Sequence, residues 1–152
     1  WIAGFTDGEG TLTLIRNSVS YSPLVTITQK VVAPLEWIHG HVGGAMRTVY
    51  RHRADGVHPY GRWELTGRVR VTAFLEVVLP HLRIKHRQGE LLIEYCGTIR
   101  HGGKLWKPEP HRLRGIAGRP PVLTDEIRNR RNKIYAEIRV LNDSWQYRRS
   151  LH

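Results

Sequence analysis

The chain has 152 residues, with 24 Lys and Arg against 13 Asp and Glu for a formal charge of +11, and 40% of its residues are hydrophobic. That length suits one domain with a real core and is too short for two ordinary ones, so residues 1–152 read as a single domain. The apolar fraction excludes a disordered chain, apolar runs broken well short of about 20 residues exclude a membrane span, and the basic balance points to a folded binder of polyanions.

Residues 1–10, WIAGFTDGEG, read as a short helix running into a strand, since Thr11 to Arg16 alternates in polarity. A turn with Ser, Asn and Pro leads to a second strand-like run, SPLVTITQK, and the two form a hairpin. Pro34 starts a short helix with Leu35, Ile38 and Val42 on one face, stopped by Gly43-Gly44. AMRTVYRHR and YGRWELTG then flank a turn, ADGVHP, as a second hairpin, in which Met46 and Tyr50 are expected to prefer burial. Residues 71–79 read as a helix ended by Pro80, and Ile84, Leu91, Leu92 and Tyr95 form the apolar set of another. Residues 97–121, dense in Gly, Pro and basic residues, read as a long loop lying against something polyanionic or as a mobile surface segment. Thr124 is the expected N-cap of a last helix, with Ile127, Ile134, Ile138 and Leu141 on its core stripe.

The order α-ββ-α-ββ-α-α plus a terminal helix contains two hairpins and no parallel βαβ unit, so the expected class is α+β with one antiparallel sheet covered by helices on one face. The other face is then free to carry polar and basic side chains, as a saddle for nucleic acid.

The opening motif places two carboxylates among three glycines. In a helix, Gly4 and Gly8 lie one turn apart, beside Ala3, on a face with almost no side chains, where a second helix can approach to backbone contact. Glu9 falls at the helix C-terminus, where the dipole disfavours an anion by about 0.3–1 kcal/mol. A divalent cation offsets that cost, and two such helices side by side bring two Glu9 carboxylates together and attract Mg²⁺. The alternative, which composition alone favours, makes Asp7 and Glu9 turn residues leading into a strand. Cys96 is the only cysteine, which rules out an internal disulfide framework and suits a reducing compartment. Neither the His39/His41 pair nor Cys96 with His101 has the spacing of a standard metal site.

IAGFTDGEG resembles the nine-residue signature of the LAGLIDADG homing endonucleases, with Ala3, Gly4, Asp7 and Gly10 in place, Ile2 and Phe5 as apolar equivalents and Glu9 at the eighth, acidic position. TITQK is similar to the end of the family's second strand, LPHLRIKHRQ to the segment carrying its basic active-site residue, and LNDS to a tetrapeptide near the end of the single-motif, homodimer-forming members. The resemblance covers nearly the whole chain. It implies a four-stranded antiparallel saddle in the DNA major groove and a two-helix interface made by Ala3, Gly4, Asp7 and Gly8. It also implies Glu9 as the metal-binding acid assisted by the Gly8 carbonyl, Gln29 as a residue that orders water near the metal, and Lys85 as the basic residue that polarises water or steadies phosphate charge. Mg²⁺ is the implied cofactor, with Mn²⁺ or Ca²⁺ as alternative occupants. From the residues alone, Lys85 lies in a basic run, RIKHR, and such a run is more often a solvated or phosphate-contacting face. The chain departs from the family in carrying Glu at position 9 where Asp is commoner, and Ala33 where some relatives have arginine; its start at Trp1 reads as trimmed.

Strand alternation assigns a DNA side. Leu12 and Leu14 inward put Thr11, Thr13 and Ile15 outward; Ser20, Ser22, Thr26 and Thr28 follow on the second strand, Arg47, Arg51 and Arg53 on the third, and Arg62, Glu64 and Thr66 on the fourth. Arginine reads guanine bidentately, while lysine more often only neutralises phosphate. One signature and no second copy of it imply a homodimer that cuts both strands of a long, roughly palindromic duplex, acting in intron homing inside the cell. Two further readings use the same scaffold: a DNA-binding regulator that does not cut, and an RNA-binding maturase.

Overall fold

A computed structural model of the chain describes residues 1–17, 20–99 and 124–149, with the side chains of the last helix followed to Ser144. The elements are α1 (Ile2–Glu9), β1 (Gly10–Arg16), β2 (Tyr21–Gln29), α2 (Ala33–Val42), β3 (Ala45–Arg53), β4 (Gly56–Thr66), α3 (Arg68–Val78), a 3-10 turn (Leu79–His81), α4 (His86–Thr98) and α5 (Asp125–Arg149). The four strands form one antiparallel sheet in the order β1-β2-β4-β3, so the two hairpins join through their second strands. The class is α+β, with the element order that the hydrophobic periodicity implies.

The core lies between one sheet face and the helices. Leu12 and Leu14 of β1, Val25 and Ile27 of β2, and Trp63 and Leu65 of β4 meet Leu35 and Ile38 of α2, Phe74 and Leu75 of α3, Leu91, Leu92 and Tyr95 of α4, and Ile134 and Ile138 of α5. Each such side chain contributes about 1.5–3 kcal/mol by leaving water. The largest, Trp63, is fully buried and donates its indole N–H to Gly43 O at 2.7 Å. Gly44 makes room for it: φ is 96°, and a Cβ there would stand 2.7 Å from Glu64 O and 2.8 Å from Trp63 Nε1.

Polar ties close the helical layer onto the sheet. Asn142, within the LNDS tetrapeptide, donates to Leu12 O at 3.1 Å and so fastens α5 to β1. Buried Arg131 donates to Thr98 Oγ1 and Thr98 O at 2.9 and 2.8 Å, placing a cation at the negative end of α4. Thr124 Oγ1 accepts from Ile127 N at 3.4 Å at the start of α5.

Four expectations are corrected. The second hairpin turns over Ala54-Asp55 alone, because Arg53 pairs with Gly56, so Val57, His58 and Pro59 belong to β4 rather than to a six-residue turn. Tyr50 is 66% exposed: β2 pairs with β4 only from Gly61 onward, and the outer half of the β3–β4 ribbon projects beyond the core with both faces open. Ile84 is exposed in the turn before α4 and not on its apolar stripe. Of residues 97–121, Gly97 and Thr98 complete α4, while 100–123 lie outside the described residues. His101, named with Cys96, also lies there; among the described residues no group of three or more His, Cys, Asp and Glu could hold a metal.

Candidate active site and nucleic-acid face

Helix α1 faces inward through Ala3, Thr6 and Asp7, which are buried. Its outward stripe is Trp1, Gly4, Phe5 and Gly8, at the i, i+3, i+4, i+7 spacing of one face. A Cβ added at Gly4 or Gly8 would meet nothing within 4 Å, so among the described residues nothing covers the helix at these two glycines. Beside it, the exposed rings of Trp1 and Trp37 meet edge to face at 5.3 Å, and Trp1 stacks on Phe5 at 5.2 Å.

The two carboxylates of the motif have separate fates. Asp7 is buried, and its oxygens accept the backbone N–H of Arg83 at 2.6 Å and of Lys85 at 2.9 Å. Both donors precede α4, so one carboxylate fixes the turn between the 3-10 element and that helix. With residues 83 and 85 turned toward Asp7, Ile84 points out and the Lys85 side chain points in. Lys85 is only 2% exposed, and its ammonium donates to Thr6 O at 3.2 Å and to Asp7 O. The negative end of α1 is thus met by a cation from the chain itself. The offset for which the sequence argument invoked a metal is in part supplied by Lys85.

Glu9 closes α1, half-exposed, and Gly10 begins β1. The transition is tight: a Cβ on Gly10 would stand 2.6 Å from Thr6 O, the carbonyl that also receives Lys85. Gly10 pairs with Ile27, so Gln29, two residues on, ends β2 at the side of the sheet where α1 delivers Glu9. Ala33 opens α2 just beyond. Glu9, Gln29 and Lys85 therefore gather around the α1–β1 junction. Gly8 presents no side chain there, and its carbonyl belongs to the last turn of α1.

The open face of the sheet carries the outward positions. Thr11 and Ile15 are exposed and Thr13 half-exposed on β1; Ser20 precedes β2, where Ser22 and Thr28 are half-exposed; Thr66 is exposed on β4. Leu24 shares their parity and is buried on this face, between its register partners Thr13 and Thr66. Arg47, Arg51 and Arg53 share the face on β3, opposite Arg62, His58 and Gly56. Thr26 and Glu64 differ from the rest. Thr26 is buried, donating to Trp63 O, and Glu64 takes Arg47 and Arg62 on its two oxygens. Tyr60 and His58 also lie here, with the Arg51 guanidinium 4.9 Å over the Tyr60 ring. The sequence reading missed His58 because it assigned 54–59 to the turn, where the Asp55-Gly56 pair was the signal for a two-residue hairpin, and left out Tyr60 although it placed it in the strand.

No family model and no curated protein matches the chain. Solved structures do. The LAGLIDADG meganuclease I-AabMI bound to uncleaved DNA superposes with a TM-score of 0.50 at 17% identity, over 63% of this chain and 35% of that one. The fold is that of the LAGLIDADG homing endonucleases. The homing endonuclease I-CvuI, on a DNA target with magnesium, gives 0.49 at 22% identity over 64% of each chain, and the archaeal intron-encoded I-Vdi141I with DNA gives 0.49 at 23% over 64% of this chain and 65% of that one. The chain thus spans under two-thirds of the length of these LAGLIDADG structures and about a third of I-AabMI.

Proposed function

We propose that residues 1–152 form one subunit of a site-specific DNA endonuclease, completed by a second copy and acting inside the cell. The observation that carries this is the placement of Glu9 at the α1–β1 junction, at the end of a helix whose Gly4 and Gly8 are uncovered among the described residues, and beside a sheet whose open face bears Arg47, Arg51, Arg53 and Arg62. Two copies meeting through Gly4 and Gly8 place two acidic helix ends over one duplex, and each sheet reads one half-site. The solved neighbours, which are DNA complexes, accord with that substrate.

A divalent metal fits the donor set in one respect and is incomplete in another. Glu9 and the Gly8 carbonyl are hard oxygen donors of the kind Mg²⁺ takes, but among the described residues no group of three or more His, Cys, Asp and Glu gathers there, so the remaining ligands would come from the second copy and the phosphates. When bound, Mg²⁺ supplies Lewis-acid stabilisation of phosphate charge and acidifies water. The chain's own residues do the rest: Gln29 offers an amide to hydrogen-bond water at the sheet end, Asp7 keeps the 83–85 turn against α1, and Lys85 holds a positive charge beneath the helix end. A second reading, specific binding without cutting, is favoured by Lys85 itself, whose ammonium is already engaged by two carbonyls.

The test is a randomised duplex library incubated with protein and Mg²⁺. Cuts on both strands at one nearly palindromic sequence establish the endonuclease; selective binding without cuts, with Mg²⁺ or Mn²⁺, moves the function to a regulator on the same scaffold.

A further inference from the structure

Arg47 and Arg62 are direct cross-strand partners on the open face, a like-charge pairing that is unfavourable unless something lies between them. Glu64 lies between them. One of its oxygens accepts from Arg47 Nη2 at 2.5 Å, and the other stands 2.9 Å from Arg62 Nε. Arg62 Nε also donates to Thr26 Oγ1 at 3.1 Å, and Thr26 is fixed in turn by donating to Trp63 O at 3.0 Å. The Glu64 side chain is 14% exposed against 57% for Arg47, so the carboxylate is withdrawn behind the arginines. Arg62 is held along its Nε edge by two acceptors, while Nη1 and Nη2 have no partner among the described residues.

We propose that Glu64 does not contact DNA but is a positioning residue for base recognition: with Thr26 it holds Arg62 so that the Nη1–Nη2 edge is presented to one guanine per half-site. This rests on the DNA-binding reading above. Bidentate recognition of guanine O6 and N7 needs two parallel N–H groups in a fixed plane. An arginine already held at Nε loses less rotamer freedom on reaching it than a solvated one. The same carboxylate cancels one positive charge, which restrains attraction to phosphate at any sequence.

Removing the Glu64 charge therefore has two effects of opposite sign. Base discrimination falls, while non-specific affinity rises. The experiment is selection of bound duplexes from a randomised library in EDTA, with wild type, Arg62→Lys, Glu64→Gln and Thr26→Val sequenced side by side and the salt dependence of non-specific binding measured for each. Wild type prefers guanine at one position per half-site by about tenfold or more. Arg62→Lys loses that preference, and Glu64→Gln and Thr26→Val weaken it at the same position. Glu64→Gln alone raises non-specific affinity and steepens the salt slope by about one per subunit. Thr26→Val, nearly isosteric, keeps the test decisive if Glu64→Gln unfolds. Loss of preference at a different base pair in Glu64→Gln shows that Glu64 reads a base itself and overturns the proposal, as does an unchanged profile in both variants. A wild type with no preferred sequence overturns the DNA-binding reading beneath it.

Discussion

Asp7→Asn probes the contact that organises the site. The carboxylate is 6% exposed and accepts two backbone N–H groups, at 2.6 Å from Arg83 and 2.9 Å from Lys85. Asparagine keeps the shape but turns one acceptor into a donor, so one N–H loses its partner and faces another N–H, while the other bond loses its charge. A hydrogen bond to a charged group is worth about 1.5–3 kcal/mol, and a stranded buried donor costs about 1–3 kcal/mol. Allowing for relaxation of the turn, the variant loses about 2–4 kcal/mol out of the roughly 5–15 kcal/mol of a typical domain. With a urea m-value of about 2 kcal/mol/M, the midpoint falls by about 1–2 M at unchanged slope. Equilibrium urea unfolding followed by tryptophan fluorescence reads this directly. A midpoint within about 0.2 M of wild type, corresponding to under about 0.5 kcal/mol, would show that Asp7 does not hold the 83–85 turn, and the account of how Lys85 reaches α1 would fail with it.

Other outcomes follow from neighbouring geometry. Gly4→Leu meets open space among the described residues, so the single chain still folds, its urea midpoint loses only the concentration-dependent part that dimerisation adds, and it sediments as a monomer where the proposed wild-type state is a dimer; a dimeric variant would refute the role given to this face. Gly10→Ala forces a methyl to 2.6 Å from Thr6 O and lowers stability by about 1–3 kcal/mol in the same unfolding assay. Burial pushes the Cys96 thiol up, against smaller opposing effects from Thr72 and Arg68. The folded state then keeps its proton where the unfolded state loses it. This contribution is complete below the unfolded thiol range, near about 8.5, and is lost as pH rises from there through the raised value of the folded thiol. A Cys96→Ala variant with the same alkaline slope would assign that loss elsewhere.

How much of this was legible in the sequence depended on whether a residue answers to local pattern or to a distant partner. The order of elements was readable because strand alternation and helical spacing are local, and because Gly43-Gly44 and Thr124 mark ends by their own chemistry. The inversion at 84–85 was not. Hydropathy buries isoleucine and exposes lysine, but the two N–H groups bound by Asp7, 76 and 78 residues away in the chain, fix the turn the other way. Arg131 is buried for a similar reason, its partner being the end of α4. Tyr50 misled because burial was inferred from residue type, whereas an outer ribbon without a third strand has no core to offer. At the site, Glu9, Gln29 and Lys85 could be named only through the resemblance, which also set a metal-binding Glu9 apart from an interface Asp7; that Asp7 binds the N–H groups of Arg83 and Lys85 within its own chain could be seen only in the fold.

The central claim is that Glu9 belongs to the chemistry and not to the scaffold. The most direct test takes the duplex selected by the wild-type protein and measures, with Mg²⁺, binding and strand cleavage by wild type and by Glu9→Gln. The account predicts equal affinity, two cut strands for the wild type and intact DNA for the variant. Cleavage by Glu9→Gln at the wild-type rate would contradict it.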